Sequence, residues 1–386
     1  MRVFPRSSSP PPRRQPVLLA SLLGAALGVV LLVAGAAPPV PAASRPPSAT
    51  GEPAVVTGAS IVATARKAPQ PSAAALAGGT DDALLGDPVA ARLAAGLLPL
   101  HVLSLPAAGR QDAPAALLFA TEDNQLVRIL PGDPSREIAT GGGELTALPG
   151  EIYVAIGKAG ADKVREGDEK TPIGVYWVRD FIPGSRLPEI YGEGAYPISY
   201  PNLWDRRLGR TGSGIWIHGT DKADDELLPR SSRGCLTLRN RDFRALDPLV
   251  EIGRTPVVIA HDLQWVSRSE FVRVRDDLLG AVERWRLDWE SLDTDAYLAH
   301  YGEDFRAEGM NLATWSTHKR RVNAHKREIR VALDELAAFK YPGEDDLFLV
   351  TFRQDYRSDN YDSTRHKSQF WRRGAEGWRI VQEGGV

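Results

Sequence analysis

A single cysteine, Cys235, occurs in the 386 residues, and a histidine, His218, stands 17 positions before it. Ile215, Trp216 and Ile217 lead into the histidine, and Leu236 and Leu238 follow the cysteine. This alternation predicts two buried strands, with His218 ending one and Cys235 opening the other, so that the two side chains meet at one edge of a sheet. The segment between them is polar and charged (Asp221, Lys222, Asp224, Asp225, Glu226, Arg230) and reads as a loop over solvent. A thiol is a weak nucleophile until it becomes a thiolate. An imidazole beside it takes the proton and later returns it to a leaving group. The imidazole in turn needs a third group to fix its tautomer. A backbone carbonyl can serve, and Gly219 lets that backbone come close. Gly234, next to Cys235, permits a tight turn that exposes N–H groups toward an oxyanion. An inert buried thiol beside a satisfied core histidine is the alternative that these residue types leave open.

The order of three segments favours the reactive pair. Ile217-His218-Gly219-Thr220 followed by Ser232-Arg233-Gly234-Cys235 resembles the signature of the L,D-transpeptidase catalytic domain, the YkuD domain. Upstream, Glu166-Gly-Asp168-Glu-Lys-Thr171-Pro172-Ile-Gly174-Val-Tyr176 resembles that family's segment of the same kind, and Tyr196-Pro-Ile-Ser-Tyr200-Pro201-Asn202 resembles its substrate-side region. The resemblance implies a cysteine enzyme that attacks the L,D bond after meso-diaminopimelate in peptidoglycan stem peptides, through a thioester and without a cofactor. By position it makes Cys235 the nucleophile, His218 the general base and Gly219 the residue whose carbonyl orients His218. Ser232, Gly234, Thr220 and Tyr200 fall on the substrate side. In the common pattern a histidine precedes the Gly-Cys pair; here it is Arg233. Arginine cannot act as a base, but it can pair bidentately with a carboxylate. Arg233 would therefore anchor a substrate carboxylate, lower the Cys235 pKa, or pair with an acid of a neighbouring loop. The departure leaves the acceptor open between water (carboxypeptidase) and an amine (transpeptidase).

Composition sets the surroundings. A net charge of −2 offers nothing to nucleic acid, and one cysteine excludes an internal disulfide framework or a cysteine-based zinc cluster. His300, His318, His325 and His366 lack metal-ligand spacing with carboxylates, so no metal site is expected. Gly141-Gly-Gly143 lacks the lysine and helix of a phosphate loop and reads as a turn. Residues 1–16 carry Arg2, Arg6, Arg13 and Arg14, and Val17–Ala37 is an uncharged apolar run of 21 residues. Residues 1–43 thus read as a signal peptide or a membrane anchor, placing the remainder in the periplasm or cell envelope. Residues 44–80, rich in Ala, Pro and Ser, read as a disordered linker, and 81–114 as a short helical lead-in, with a helix over 82–98.

Strand patterns fill residues 115–262: Ala115–Ala120, Gln125–Leu130, Ile152–Ile156, Val175–Val178 and Pro256–Ala260, with one helix over 240–252. The expected fold is a mainly β, YkuD-type catalytic domain. From 267 to 386 the pattern changes to helices (269–288, 292–301, 314–325) and then antiparallel strands (329–333, 347–352, 378–381), an α+β unit. Trp285…Asp288-Trp289…Tyr297…Tyr301…Phe305, Trp315…Lys319-Arg-Arg…Lys326 and Phe352…Gln354-Asp-Tyr356 resemble the carboxy-terminal NTF2-like domain of the Csd6 family, which trims cell-wall peptides. NTF2-like folds host enzymes, ligand pockets and dimerisation modules, so a homodimer through this domain stays open. The aromatic residues here line a cavity or form the core, the second being the commoner arrangement. A second reading of the whole chain is a non-catalytic wall-binding or scaffolding protein that uses the NTF2-like domain.

Overall fold

The computed structural model describes residues 88–106, 115–130, 146–223 and 226–385. The signal or anchor segment, the linker and the Gly141–Gly143 turn lie outside the described residues. Among the described residues no helix is long and apolar enough to cross a membrane. Among the described residues the lead-in has α1 (Pro88–Ala94), which ends before the expected residue 98 because Gly96, at φ +73°, turns the chain out of it. The next residues form a strand instead, β1 (Leu97–Pro99).

The first large unit contains β2 (Ala116–Ala120), β3 (Gln125–Leu130), β4 (Thr146–Gly157), β5 (Gly174–Trp177), β6 (Ile182–Pro183) and β7 (Gly194–Pro197), then α2 (Leu203–Arg207). It continues with β8 (Trp216–His218), β9 (Arg230–Ser232), β10 (Leu236–Leu238), α3 (Asn240–Arg244) and β11 (Pro256–Ala260). The hydrogen-bonded order is β5-β11-β2-β3-β4-β10-β8-β7-β6, with β9 added on β4. β2 and β11 are short runs buried along their whole length, as parallel partners with both faces covered must be. A bridge between Val178 and Ile198, just past β5 and β7, brings the two ends of this order together. The predicted helix over 240–252 is only α3 followed by a single 3-10 turn at Asp247–Leu249. Pro248 in that turn has no N–H to extend a helix.

The second unit follows β12 (Trp265–Ser267), the partner of β1. It consists of α4 (Arg268–Glu290), α5 (Thr294–Leu298), β13 (Tyr301–Ala307), β14 (Met310–Asn311), α6 (Leu312–Asn323), β15 (Ile329–Lys340), β16 (Leu347–Ser358), β17 (Tyr361–Gly374) and β18 (Gly377–Gly385). Its sheet runs β14-β13-β18-β17-β16-β15. The Ser267 side chain caps α4 by accepting from Glu270 N, and Phe271, Val274, Leu278, Val282, Trp285 and Trp289 line the buried face of the helix. The helix expected over 292–301 is cut short at Leu298, and Tyr301 opens β13. β17 has no counterpart in the sequence reading. Residues 361–367 are mostly exposed and polar with no alternation, and pairing along all of β16 is what makes them a strand.

The two units share one apolar cluster, in which Leu118, Val258 and Trp204 meet Phe339, Leu349 and Phe370. α2 is the main joint. The Trp204 ring stacks on Phe370 with centroids 5.3 Å apart, and Asn202 Nδ2 donates to Tyr341 OH at 2.8 Å. Arg207 pairs with Asp304 at 2.9 Å.

Candidate active site

β8 and β10 are parallel neighbours in the interior of the sheet, Leu236 opposite Ile217 and Thr237 opposite His218. The expected strands therefore exist, but the pair sits between interior strands and not along an edge. Alternation puts Cys235 and Thr237 on one face of their strand, with Trp216 and His218 on the matching face of the next. In this register Cys235, just before β10, falls diagonally to His218 on β8; the thiol contacts Gly214 O and the imidazole Nε2 the Thr237 hydroxyl.

His218 is buried, and its Nδ1 lies 2.6 Å from the carbonyl oxygen of Gly219. A carbonyl only accepts, so Nδ1 carries the proton and Nε2 presents a lone pair. The hydroxyl of Thr237 stands 3.3 Å from Nε2, and the ring of Tyr191 meets the imidazole edge-on at 5.0 Å. Burial lowers the His218 pKa, partly offset by the Gly219 hydrogen bond, so the ring is neutral at pH 7. Cys235 is free and half-buried, its thiol donating to Gly214 O at 3.6 Å. Burial raises its pKa, while a backbone hydrogen bond from Trp216 and the charge of Lys163 pull the other way. The resting pair is consequently a thiol and a neutral imidazole. Such a pair reacts by general-base proton transfer during attack and not through a standing ion pair.

Two clasps fix the backbone around these groups. The first is Thr171, wholly buried in the loop after β4. It accepts from Gly157 N at 2.9 Å and donates to Gly234 O at 3.1 Å. Gly234 adopts φ +117°, and a Cβ there would sit 2.5 Å from Lys170 O, so only glycine fits. Ser232 Oγ accepts from Gly234 N at 3.0 Å and donates to Cys235 O at 2.7 Å. In a trans peptide the C=O and N–H point opposite ways. With Gly234 O held inward by Thr171, Cys235 N–H points outward, and among the described residues it has no acceptor. The second clasp is Asn240, the first residue of α3. Its Oδ1 accepts from Glu193 N and Thr220 N, each at 3.1 Å, and its Nδ2 donates to Thr220 O at 2.8 Å. A Cβ on Gly219 would come within 2.3 Å of that Oδ1.

The remaining predicted residues are placed as follows. Thr220 is buried and held by Asn240, and its Oγ1 accepts from Lys222 N. Arg233 projects into solvent with 87% of its side chain exposed and makes a loose, exposed ion pair with Glu169 at 4.0 Å, the pairing with a neighbouring loop acid that the sequence left open. Tyr200 is buried, its hydroxyl given to Thr211 O at 3.0 Å and its ring set against Tyr176. The aromatics of the second unit, among them Trp285, Trp289, Trp315 and Trp371, are core. Lys319, from the basic run, lies 4.4 Å from the Trp315 ring centre and 4.6 Å from that of Trp289. Burial lowers its pKa to about 8, assisted by the charge of Lys367. Among the described residues no cluster of metal-ligating side chains occurs.

Residues 112–259 match the family model of the L,D-transpeptidase catalytic domain, YkuD, and residues 277–384 that of the Cds6 C-terminal NTF2-like domain. The solved structure of Bd1075 from Bdellovibrio bacteriovorus is 30% identical, with 75% of this chain and 98% of that one covered at a TM-score of 0.63. The chain belongs to the L,D-transpeptidase (YkuD) family. Pgp2 of Campylobacter jejuni, a helical cell shape determining protein, shares the two-domain fold at 24% identity and a TM-score of 0.58, with 73% of this chain and 94% of that one covered. No curated protein matches.

Within this L,D-transpeptidase fold, the sequence reading missed Asn240, Thr237 and the placement of Thr171. Asn240 stood inside a predicted helix, and nothing local says that its side chain reaches back 20 residues to Thr220. Thr237 was legible in principle, since a polar residue two after Cys235 interrupts an otherwise apolar strand.

Proposed function

We propose that this L,D-transpeptidase family member is a peptidoglycan-modifying cysteine enzyme of the cell envelope, acting on the bond between meso-diaminopimelate and D-Ala in stem peptides. The observation that carries the reading is the fixed tautomer of His218: with Nδ1–H held by Gly219 O at 2.6 Å, Nε2 presents the lone pair, beside the Thr237 hydroxyl at 3.3 Å, that can take a proton. Cys235 Sγ attacks the carbonyl carbon while its proton passes to Nε2. The developing oxyanion takes the outward N–H of Cys235. Collapse breaks the C–N bond, His218 returns the proton to the departing D-Ala amine, and a thioester remains on Cys235. Water then gives a tripeptide, and an amine gives a cross-link or an exchanged D-amino acid.

Arg233 fits this chemistry as a solvent-facing cation beside the nucleophile, where it meets the carboxylate of D-Ala. Export or inner-membrane anchoring through residues 1–43 would bring the catalytic unit to its substrate. The test is incubation of the chain from about residue 44 onward with disaccharide tetrapeptide, with and without an added D-amino acid, and Cys235→Ala as control. Tripeptide alone identifies an L,D-carboxypeptidase, and exchange or dimer a transpeptidase. No Cys235-dependent product from tetrapeptide or from intact sacculi would leave the wall-binding reading.

A further inference from the structure

Lys163 is buried with 4% of its side chain exposed, in the same loop that supplies Thr171. Its ammonium donates to Asp168 Oδ1 at 2.7 Å and to Arg165 O at 3.0 Å. Its Cε lies beside the backbone of Gly212, where a Cβ would approach it to 3.2 Å. Gly212 belongs to the turn whose next-but-one residue, Gly214, takes the thiol of Cys235 at 3.6 Å. From the other side, Lys163 N donates to Thr171 O at 3.2 Å, and the hydroxyl of that threonine holds the peptide that precedes Cys235. The lysine is therefore packed against the turn of Gly212 and Gly214, which takes the thiol, and bonded to Thr171, which holds the peptide preceding Cys235.

We propose that Lys163 is a positioning residue for the reactive cysteine: a buried positive charge that favours the thiolate and the negative charge of the attacking state. The inference rests on the reading of Cys235 as the attacking group. Arg233 is closer in sequence, but it stands in water, where its field is screened. Lys163 is kept out of water, so its field is offset chiefly by its own partner Asp168 and little by solvent. Asp168 is the other half of the device. Besides Lys163, it accepts from Val164 N at 2.8 Å, Arg165 N at 3.0 Å and Lys170 N at 3.2 Å. Burial alone would raise its pKa, but these donors outweigh burial and hold the carboxyl well below the ordinary range, so it stays ionised beside Lys163. The other charged or titratable groups around the thiol are His218 on β8, Glu169 and Lys170 in the Lys163 loop, and Arg233.

The only cysteine of the chain makes the test direct. The rate of iodoacetamide alkylation is followed from pH 7 to pH 10, above the range in which His218 titrates. Lys163→Met moves the apparent thiol pKa upward by about half a unit to one unit, so that alkylation at pH 8 slows about three- to tenfold. Asp168→Asn leaves the lysine uncompensated and moves it downward. A role in loop structure alone shifts both variants the same way, or neither, and either result overturns the proposal. If Lys163→Met does not fold, Asp168→Asn decides by sign: a fall supports the proposal, and a rise or no change refutes it. The readout is ionisation and not turnover. A thiol that responds in this way in a protein that leaves tetrapeptide intact keeps the present inference and removes the proposed reaction.

Discussion

The hydroxyl of Thr171 donates to the carbonyl oxygen of Gly234 at 3.1 Å, joining residues 63 positions apart and setting the direction of the peptide that carries Cys235. Thr171→Val keeps the shape and removes the hydroxyl, leaving Gly157 N and Gly234 O unpaired in a buried place. The expected loss is about 1–3 kcal/mol of stability. The Cys235 N–H is then no longer held outward, and kcat falls about tenfold to a hundredfold. Thermal unfolding and single-turnover release of D-Ala measure the two effects separately. A variant with lowered stability and unchanged kcat would show that the clasp does not serve the oxyanion.

Asn240 holds Thr220, and through it the Gly219 carbonyl that sets the His218 tautomer. Asn240→Ala removes three hydrogen bonds at once. A displacement of the carbonyl by less than an ångström is enough to lower turnover about a hundredfold. An imidazole Nδ1–H resonance, expected in the parent protein from the bond to Gly219 O, should broaden or vanish in the variant. Retention of both signal and rate would contradict the assignment.

His218 is neutral at rest because burial lowers its pKa below the usual 6.5, despite the hydrogen bond to Gly219. Turnover by the proposed mechanism requires that neutral form, so it rises with pH through a value below the ordinary 6.5 and then levels off. The same shift bears on stability. Below about pH 6.5 the unfolded chain binds a proton that the folded chain resists, so this contribution to stability is lost as pH falls. A pH–rate profile whose acid limb is centred above 6.5 would mean a protonated histidine at rest and would contradict a neutral pair.

Trp204 on α2 is buried between the two units, stacked on Phe370. Trp204→Ala is expected to cost about 3–5 kcal/mol. It should also split a single calorimetric transition into two, because the shared apolar cluster loses its largest member. One unchanged transition would show that the joint contributes little to cooperativity.

Much of this was legible in the sequence because it is local. The strands flanking His218 and Cys235 announce themselves by alternation, and α4 by apolar residues at helical spacing from Phe271 to Trp285. The family resemblance joined those pieces into two domains. Other features depend on the folded arrangement. Lys163, Thr171 and Asn240 act on backbone far away in sequence, and their residue types fit an ordinary polar loop or helix start as well. β17 is a strand through its neighbours and not its pattern. Arg233, the most visible departure in the sequence, is the most exposed of the candidate residues, whereas Lys163, which no pattern marks, is buried beside the segments that hold Cys235.

The most direct measurement is intact-protein mass after mixing with disaccharide tetrapeptide and rapid acid quench. The account predicts an adduct with the mass of the substrate less D-Ala. It should map to the peptide containing Cys235, release to hydroxylamine as a thioester does, and be absent from Cys235→Ala. Release of D-Ala without an adduct in any quench, or an adduct that survives Cys235→Ala, would contradict a cysteine thioester mechanism.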